Sequence, residues 1–567
     1  MTSGVQIPVL PHATKEELVE NGLATELFPA VRQQSFFFPF ISFPFRPGHN
    51  PSKQEYLGRW ASGLQMIGRK SLLIVISKAI SALLGFIGLY LITRNFPESA
   101  YGQIAYTMSL VALFASFADL GFATAYIKRI NEGKDPSDCL SSYLVVKLLL
   151  LAVMVGAIFI SFWSWTSLMG RPLNDTDVEL IALFTLYFVL YNIATVATAT
   201  FDANLKTAKT QISLIAEMLV RVPLIFFFAI PAGNVYALAW TYVIGGLAVA
   251  LVSIFLLSRE RLRLKRPTLI RSMAVFAMPL AVAVVLGTII GNIDKVSLGF
   301  FWNSSEVANY AAGQSIVNML YVFGAALSTL LFPTFSRLYE NGEKRSMQEI
   351  VRRGERYLSY IITPIVCVFL VFPMLIATVL LSEKYSGAAG VMQVLSLNVI
   401  ILALGGIYIT EIVAMNRAKE LVWISAVQLA LLLCFLVIFV PTSFFQVPML
   451  ELRAVGTALA VLLATLIVVV IYRIMIWRMI GLGYNYAMSF HLIGALLSIG
   501  TLLAIEMVYQ PTRWYDIILT WMASAGVFYL SLYVMRELKD KDIRYFLEVL
   551  NPVEMVKYLR MEFGRKP

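Results

Sequence analysis

Charged residues are scarce in this chain of 567 residues: aspartate, glutamate, lysine and arginine together make up only 14%. Hydrophobic residues make up 59%, and the mean hydropathy is +0.76. A soluble globular domain typically carries about 25% charged residues. The shortage of charge therefore excludes an ordinary soluble protein and predicts that most of the chain lies in a membrane.

Cysteine and histidine are also rare, with three of each. No CxxC pair occurs, and His12, His49 and His491 are too widely separated to predict a metal site or a catalytic nucleophile. A Walker-like stretch at residues 63–71 has Arg69 where its lysine should follow the glycine, so no ATP-binding loop is predicted. We expect no metal, no cofactor and no enzymatic activity.

The formal net charge of +11 raises nucleic acid as a partner. The lysines and arginines are not gathered in one soluble basic module, however. They lie in the breaks between apolar runs, which is where membrane topology places them. We therefore expect no binding to nucleic acid.

Long apolar runs dominate the sequence. A helix needs about 20 apolar residues to cross a bilayer, and by that length the runs divide into about fourteen spans, of which the eighth is Ala308–Phe332. The predicted fold is an all-α polytopic membrane protein with two pseudo-symmetric six-helix lobes plus two C-terminal helices. The predicted divisions are an extension at 1–70, a first lobe at 71–258, a basic linker at 259–271, a second lobe at 272–477, two further spans at 478–535 and a tail at 536–567.

The breaks also predict the orientation. Residues 1–70 lack the pattern of a cleavable signal peptide, so they are expected to remain as a cytoplasmic or interfacial extension. With the amino terminus in the cytoplasm, most lysines and arginines fall on the cytoplasmic side, above all in Arg259–Arg271 and Ser336–Arg356. We predict a multi-pass protein of the plasma or inner membrane with both termini in the cytoplasm.

A short internal repeat supports the division into two lobes. The sequence FPESAYGQ from Phe96 resembles SEVANYAAGQ from Ser305, and each stands at the entry to a span. Six spans separate the copies, and an even number restores the same orientation. The lobes would then be parallel repeats with a substrate bound between them.

Four cations fall inside or at the end of predicted spans: Lys78, Lys147, Arg221 and Lys295. A charge facing lipid costs about 2.5–3.5 kcal/mol even on the lenient insertion scale, so these side chains are expected to face protein or a watery cavity. We interpret them as candidates that bind an anionic headgroup. For Lys78 and Lys147, reaching back to the cytoplasmic surface is the alternative.

Three acids are candidates for ion coupling or for a structural role: Asp294, Glu217 and Asp119. Glu217 precedes Arg221 by four residues, a spacing that favours an ion pair on one helix face. Asp294 adjoins Lys295 and follows Gly287 and Gly291, a GxxxG pair that predicts close helix packing. Asp119 lies near the cytoplasmic end of the second span, one to three turns from Lys128 and Arg129, and we interpret it as structural.

The chain resembles a known family in several places. The run from Leu91 to Gly102 and the stretch FADLGFATAYIKR from Phe117 resemble the opening spans of the polysaccharide-biosynthesis flippases, which belong to the multidrug/oligosaccharidyl-lipid/polysaccharide exporter superfamily. Pro279, Asn292 to Asp294, Tyr310 and Phe332 to Ser336 are similar to the second-lobe pattern of that family. The resemblance covers roughly residues 71–535; the extension at 1–70 departs from it.

The resemblance implies a flippase that moves a polyprenyl- or dolichyl-(di)phosphate-linked oligosaccharide from the inner to the outer leaflet by alternating access. Membrane lipids and glycosyltransferases of the same pathway are the other partners considered. An ion-coupled exporter of drugs or metabolites from the same superfamily is the alternative. A third hypothesis, a membrane glycosyltransferase, would need an external acidic cluster, and only Asp175, Asp177 and Glu179 offer one, on a short loop.

Cysteine labelling tests the predicted orientation. In a cysteine-free background, Lys265→Cys and Lys344→Cys should be shielded from impermeant thiol reagents in intact cells, whereas Asn174→Cys and Ser304→Cys should react. Permeabilised cells provide the control, because all four positions should then be labelled. Labelling of Lys265→Cys in sealed cells would reverse the orientation.

Overall fold

The computed structural model describes residues 77–169, 175–260 and 262–539. Within those ranges, thirteen helices are long and apolar enough to cross a membrane. The predicted all-α polytopic membrane fold is confirmed, with one small addition, an antiparallel hairpin of β1 (Ser443–Phe444) and β2 (Val447–Pro448). The predicted extension at 1–70 and the tail beyond residue 539 lie outside the described residues.

The first half contains seven helices. They are α1 (Ser77–Asn95), α2 (Glu98–Ala115), α3 (Phe122–Asn131), α4 (Pro136–Met169), α5 (Asp175–Ala203), α6 (Thr207–Leu224) and α7 (Val235–Ser258). Helix α6 continues through a π-helical turn, Ile225–Ala229, directly after Pro223. Proline has no amide hydrogen to donate, and such a turn is one way in which a helix accommodates it.

The second half and the C-terminal pair follow. They are α8 (Ile270–Phe301), α9 (Ser304–Asn318), α10 (Tyr321–Glu340), α11 (Lys344–Val371), α12 (Pro373–Leu380), α13 (Ala388–Ala414), α14 (Ala418–Phe439), α15 (Arg453–Ile480), α16 (Ala487–Val508) and α17 (Trp514–Val534). Helix α10 ends at Glu340 and α11 begins at Lys344, so the predicted basic break Ser336–Arg356 is largely helical.

Helix packing repeats between the halves. In the first half α7 packs against both α5 and α6, and in the second half α15 packs against both α13 and α14. The two sets are six predicted spans apart when α9 and α10 are counted together as the eighth, which is the same separation as that of the two copies of the short sequence repeat. Helices α16 and α17 pack against each other and against α11, so they extend the second half.

The eighth predicted span, Ala308–Phe332, is not one helix. At Met319 and Leu320 the amides bond to the carbonyls of Ile316 and Val317, three residues back, at 3.3 and 3.0 Å. Such bonds tighten the turn and separate α9 from α10. No glycine or proline marks this position, which explains why the apolar length alone predicted a fourteenth continuous span.

The second span is interrupted as well, between α2 and α3. Gly121 has φ +82°, and a Cβ there would lie 2.9 Å from Cβ of Leu280 in α8. Both its backbone conformation and the close approach require glycine. Asp119 lies within this interruption, directly after the 3₁₀ turn Ser116–Ala118.

The two halves meet at the predicted outer ends of α1 and α2. A Cβ on Gly102 of α2 would lie only 1.7 Å from the carbonyl oxygen of Ser304 at the start of α9, so these backbones touch. Thr93 Oγ1 donates to the carbonyl of Leu381 at 3.1 Å, and Arg94 donates to the carbonyl of Val379 at 2.9 Å. These contacts close that side of the molecule.

The segment between the halves is fastened to the first half. Residues 262–269 lie beside the first turns of α4, where four side chains spaced along one face accept its amides. The bonds are Arg263 N to Ser137 Oγ (3.3 Å), Lys265 N to Ser141 Oγ (2.8 Å), Thr268 N to Asp138 Oδ1 (3.0 Å) and Leu269 N to Ser142 Oγ (3.1 Å). We call this arrangement the linker clasp.

Two side-chain contacts reinforce the linker clasp. The hydroxyl of Thr268 donates to Asp138, and Lys265 forms an ion pair with Asp135. The Lys265 ammonium holds the pKa of Asp135 below its ordinary value. The contribution of this ion pair is therefore present at neutral pH and is lost as the pH falls through the lowered value.

Removal of Asp138 should release the linker. Asp138→Ala deletes the acceptor for both the amide and the hydroxyl of Thr268, so the exposed bonds after Arg263 and Lys265 should become several-fold more sensitive to trypsin. Asp175→Ala, an exposed acid at the opposite end of the bundle, is the control. Equal cleavage of the two variants would show that Asp138 does not hold the linker.

Candidate functional site

Three of the four predicted cations form ion pairs with the three predicted acids. The pairs are Lys147–Asp119 (3.2 Å), Arg221–Glu217 (2.7 Å) and Lys295–Asp294 (3.2 Å). The second and third are local in sequence, whereas the first joins residues 28 apart. Each pair balances its charge inside the membrane, where an isolated ion is costly.

Lys147 is buried in the first half with 1% of its side chain exposed. Its ammonium donates to Asp119 and to Asn192 Oδ1 of α5 at 3.0 Å, and Tyr143 donates to the same Asp119 oxygen at 3.1 Å. Lys128 and Arg129, the cations that follow Asp119 in the sequence, form ion pairs with Glu132. Lys147 does not reach back to the cytoplasmic surface, and it is enclosed in this conformation.

Arg221 is enclosed by aromatic rings. Its guanidinium carbon lies 4.4 Å from the ring centre of Tyr242, and Tyr187 donates to Glu217 at 3.4 Å. A Cβ on Gly245 of α7 would lie 3.2 Å from the Glu217 side chain, so α7 packs closely over the pair. The ion pair with Glu217 and the contact with the Tyr242 ring thus fix the position of Arg221 and enclose its guanidinium.

Asp294 lies at the contact between α8 and α9. One carboxylate oxygen accepts from Tyr310 at 2.8 Å and from Gln314 at 3.0 Å, while Lys295 contacts the other. Lys295 also donates to Gln314 Oε1 at 3.1 Å. Every oxygen of Asp294 therefore has a partner, and this site is built to hold a charged carboxylate.

Lys78 differs from the other three cations. It is exposed near the described start of α1, and it makes no ion pair within the described part of the chain. At 100° per residue it lies opposite Ile80, Leu83 and Ile87, the exposed apolar side chains that would face lipid. It shares its own face with Leu89, which is buried further along the helix. Lys78 is therefore accessible on the protein-facing side of α1.

Small residues continue that protein-facing side of α1. Gly85, two turns beyond Lys78, has no other atom within 4 Å of where its Cβ would be. The corresponding first helix of the second half, α8, has two such glycines. Gly287 and Gly291 also adjoin open space, so the predicted close packing of the GxxxG pair was wrong. Both glycines lie on the side of α8 opposite the exposed side chains of Val275 and Met278. Lys295 follows Gly291 by about one turn.

Sequence reasoning missed a polar cluster in the second half. Glu355 of α11 accepts from Tyr408 (2.7 Å) and Asn485 (2.8 Å), and Arg473 of α15 lies 3.4 Å from it. Glu355 and Arg473 lie near the ends of their predicted spans. Charged residues at such positions were interpreted as signals of membrane orientation rather than as parts of a site. Within the described residues, no group of three or more histidines, cysteines or acids could hold a metal ion.

Known proteins resemble this chain in sequence and in fold. A family model described as "Polysaccharide biosynthesis protein" matches residues 67–339. The probable low-salt glycan biosynthesis flippase Agl15 of Haloferax volcanii is 21% identical over 453 residues, which cover 78% of this chain and 92% of that protein.

Two solved structures share the fold. Lipid II flippase MurJ in an inward closed conformation has a TM-score of 0.67 at 12% identity, covering 82% of this chain and 98% of its own. An inward-facing multidrug resistance MATE family transporter of the MOP superfamily has a TM-score of 0.55 at 13% identity, covering 70% of this chain and 94% of its own.

Together the fold and these likenesses define the class as a two-half, multi-pass membrane protein with the fold of the multidrug/oligosaccharidyl-lipid/polysaccharide exporter superfamily. The resemblance to the polysaccharide-biosynthesis and lipid-linked oligosaccharide flippases of that superfamily is confirmed. The similar proteins are flippases and transporters rather than enzymes.

The buried pair Glu217–Arg221 permits a stability test. Glu217→Gln leaves Arg221 without its counter-charge and should destabilise the protein by about 3–5 kcal/mol, whereas the double variant Glu217→Gln, Arg221→Met should recover much of that loss. The measurement is the thermal midpoint of purified protein in detergent.

The control for this test is the pair Glu349–Arg353, which has the same i,i+4 spacing but exposed side chains. Glu349→Gln should cost no more than about 0.5 kcal/mol. A thermal midpoint that is equally insensitive to Glu217→Gln would contradict the role of burial.

Proposed function

We propose that this protein is a flippase that carries a polyprenyl- or dolichyl-(di)phosphate-linked oligosaccharide from the cytoplasmic to the outer leaflet. The observation that carries the proposal is Lys78, an exposed and unpaired cation on the protein-facing side of α1 within the described residues. A phosphate or diphosphate needs a positive partner to leave the headgroup region, and the lysine ammonium supplies a compact positive charge on a flexible side chain.

The open faces of α1 and α8 support a cavity between the halves. Lys78 and Gly85 on one helix and Gly287, Gly291 and Lys295 on the other would line it, with the two lysines near opposite ends. Small residues leave room for a bulky saccharide, while the apolar chain of the lipid could stay in the bilayer. We propose that the headgroup first contacts Lys78 and then moves towards Lys295, Arg221 and Lys147 as the enclosed pairs open.

The closure through Gly102, Thr93 and Arg94 supports alternating access from the cytoplasmic side. In this arrangement the outer ends of the halves touch, so the substrate would enter from the inner leaflet. The proposed localisation is the cell membrane with both termini in the cytoplasm, and the proposed partners are the lipid-linked saccharide, the surrounding lipids and the glycosyltransferases that build the saccharide. No enzymatic step is needed.

The alternative, an ion-coupled exporter of drugs or metabolites, would be favoured by a cavity lined with acids and aromatic rings. The open faces of α1 and α8 instead carry Lys78 and Lys295. Asp294 neutralises Lys295 and is itself bonded to Tyr310 and Gln314, so Lys78 is the cation of these faces that has no counter-charge among the described residues. That unbalanced positive charge supports an anionic substrate.

Substitution of Lys78 tests the proposal. A charge-assisted hydrogen bond to a phosphate contributes about 1.5–3 kcal/mol, so Lys78→Ala should lower transport by about tenfold or more, and Lys78→Arg should retain part of it. The measurement is the outward movement of a polyprenyl diphosphate oligosaccharide in reconstituted vesicles, together with surface glycan in cells at equal protein level.

Lys419→Ala provides a matched control. Lys419 is also the second residue of a spanning helix, α14, but it shares the side of Trp423 and Val427, which are exposed to lipid. The Lys419→Ala variant should therefore transport at the wild-type rate. If Lys78→Ala behaves like Lys419→Ala, the headgroup does not use Lys78; if the wild type moves cationic drugs and no lipid-linked saccharide, the exporter alternative is correct.

A further inference from the structure

One buried acid of the second half stands out among the described residues. Glu411 of α13 is fully buried, and neither of its carboxylate oxygens has a hydrogen-bond partner among the described residues. Asp119, Glu217 and Asp294, the acids singled out from the sequence, all have one. Glu411 therefore differs from these three acids in that its carboxylate has no hydrogen-bond partner among the described residues.

The charges that act on Glu411 come from two neighbouring helices. They are Arg473 of α15, which is attractive, and Glu355 of α11, which is repulsive. Arg473 makes its ion pair with Glu355 and donates its other Nη to the carbonyl of Gly483 at 2.8 Å. Glu355 additionally accepts from Tyr408 and Asn485, while Nη1 of Arg473, which lies 3.4 Å from Glu355, has no hydrogen-bond partner among the described residues.

The charges of Glu411, Glu355 and Arg473 do not balance. With all groups ionised, the cluster contains two carboxylates and one guanidinium, a net charge of −1, whereas each of the three pairs described above is neutral. An excess negative charge buried without hydrogen bonds costs several kcal/mol, and it has to be removed by a bound cation or proton.

A proton fits this position better than a metal ion. Calcium requires several oxygen ligands around it, and the described residues contain no group of three or more acids, histidines and cysteines able to hold a metal. The oxygens of Glu355 are occupied by Tyr408, Asn485 and Arg473. A proton needs only one oxygen of Glu411.

We propose that Glu411 is a proton-binding site of the second half and that it carries its proton in this conformation. Release of the proton requires water or a cation to reach the carboxylate, which means that α13 has to move relative to α11 or α15. Proton binding therefore favours the closed packing of these helices. Its use in driving transport rests on the proposed function, but the site itself does not.

Infrared difference spectroscopy of the purified full-length protein in lipid nanodiscs tests the site directly. At neutral pH the wild type should show the carbonyl band of a protonated carboxyl group, and Glu411→Gln should lose it while folding normally, because glutamine has the shape of the neutral acid. Glu349→Gln, which alters an exposed acid, should keep the band.

Three outcomes would overturn the proposal. They are a wild type without a protonated-carboxyl band, a band that survives in Glu411→Gln, or a thermal midpoint raised by sodium over choline in the wild type but not in Glu411→Gln, which would indicate a metal cation. If Glu411→Gln cannot be purified, Glu411→Met serves as the second variant.

Lys78→Ala should retain the infrared band even when transport is lost. The two proposals can therefore fail separately: a wild type that shows the band but moves no lipid-linked saccharide removes the flippase assignment alone, and a wild type that transports normally without the band removes the proton site alone.

Discussion

The balance of buried charge is the constraint on which the rest of this structure depends. A membrane interior offers no water to screen an ion, so every charged side chain needs a counter-charge, a set of hydrogen bonds or access to a watery space. Lys147, Arg221 and Lys295 meet this requirement through acids, which for Arg221 and Lys295 lie on the same helix, and through tyrosine and amide side chains of neighbouring helices. The polar clusters consequently fix how the helices pack, as much as the apolar contacts do.

The same constraint separates fixed cations from available ones. A cation enclosed with its acid and an aromatic ring, such as Arg221 beside Glu217 and Tyr242, can act on a substrate only after the helices rearrange. Lys78 needs no such rearrangement, because it already stands on the open side of α1. The first half thus offers one immediate positive charge and two that depend on conformation, which suits a stepwise passage of an anion.

Local features could be predicted from the sequence, whereas long-range ones could not. Apolar length predicted nearly all of the spans, and the i,i+4 spacing predicted the Glu217–Arg221 pair. The partner of Asp119 was missed because Lys147 reaches it from another helix, and Tyr310 and Gln314 were missed because α9 brings them to Asp294 across a helix contact. The break at Met319 and Leu320 carries no glycine or proline, so nothing in its composition signals it.

The backbone contact between Gly102 and Ser304 has an electrical consequence. If the proposed cavity beside Gly85 and Gly287 is filled with water from the cytoplasmic side, that water is nearly at the cytoplasmic potential. Most of the membrane voltage then drops across the thin closed region around Gly102 rather than across the whole bilayer. A headgroup at Lys78 would feel little of the field, and one passing this region would gain about 2.3 kcal/mol per charge per 100 mV within a few ångströms. The driving force for an anion would thus be concentrated at the outer seal.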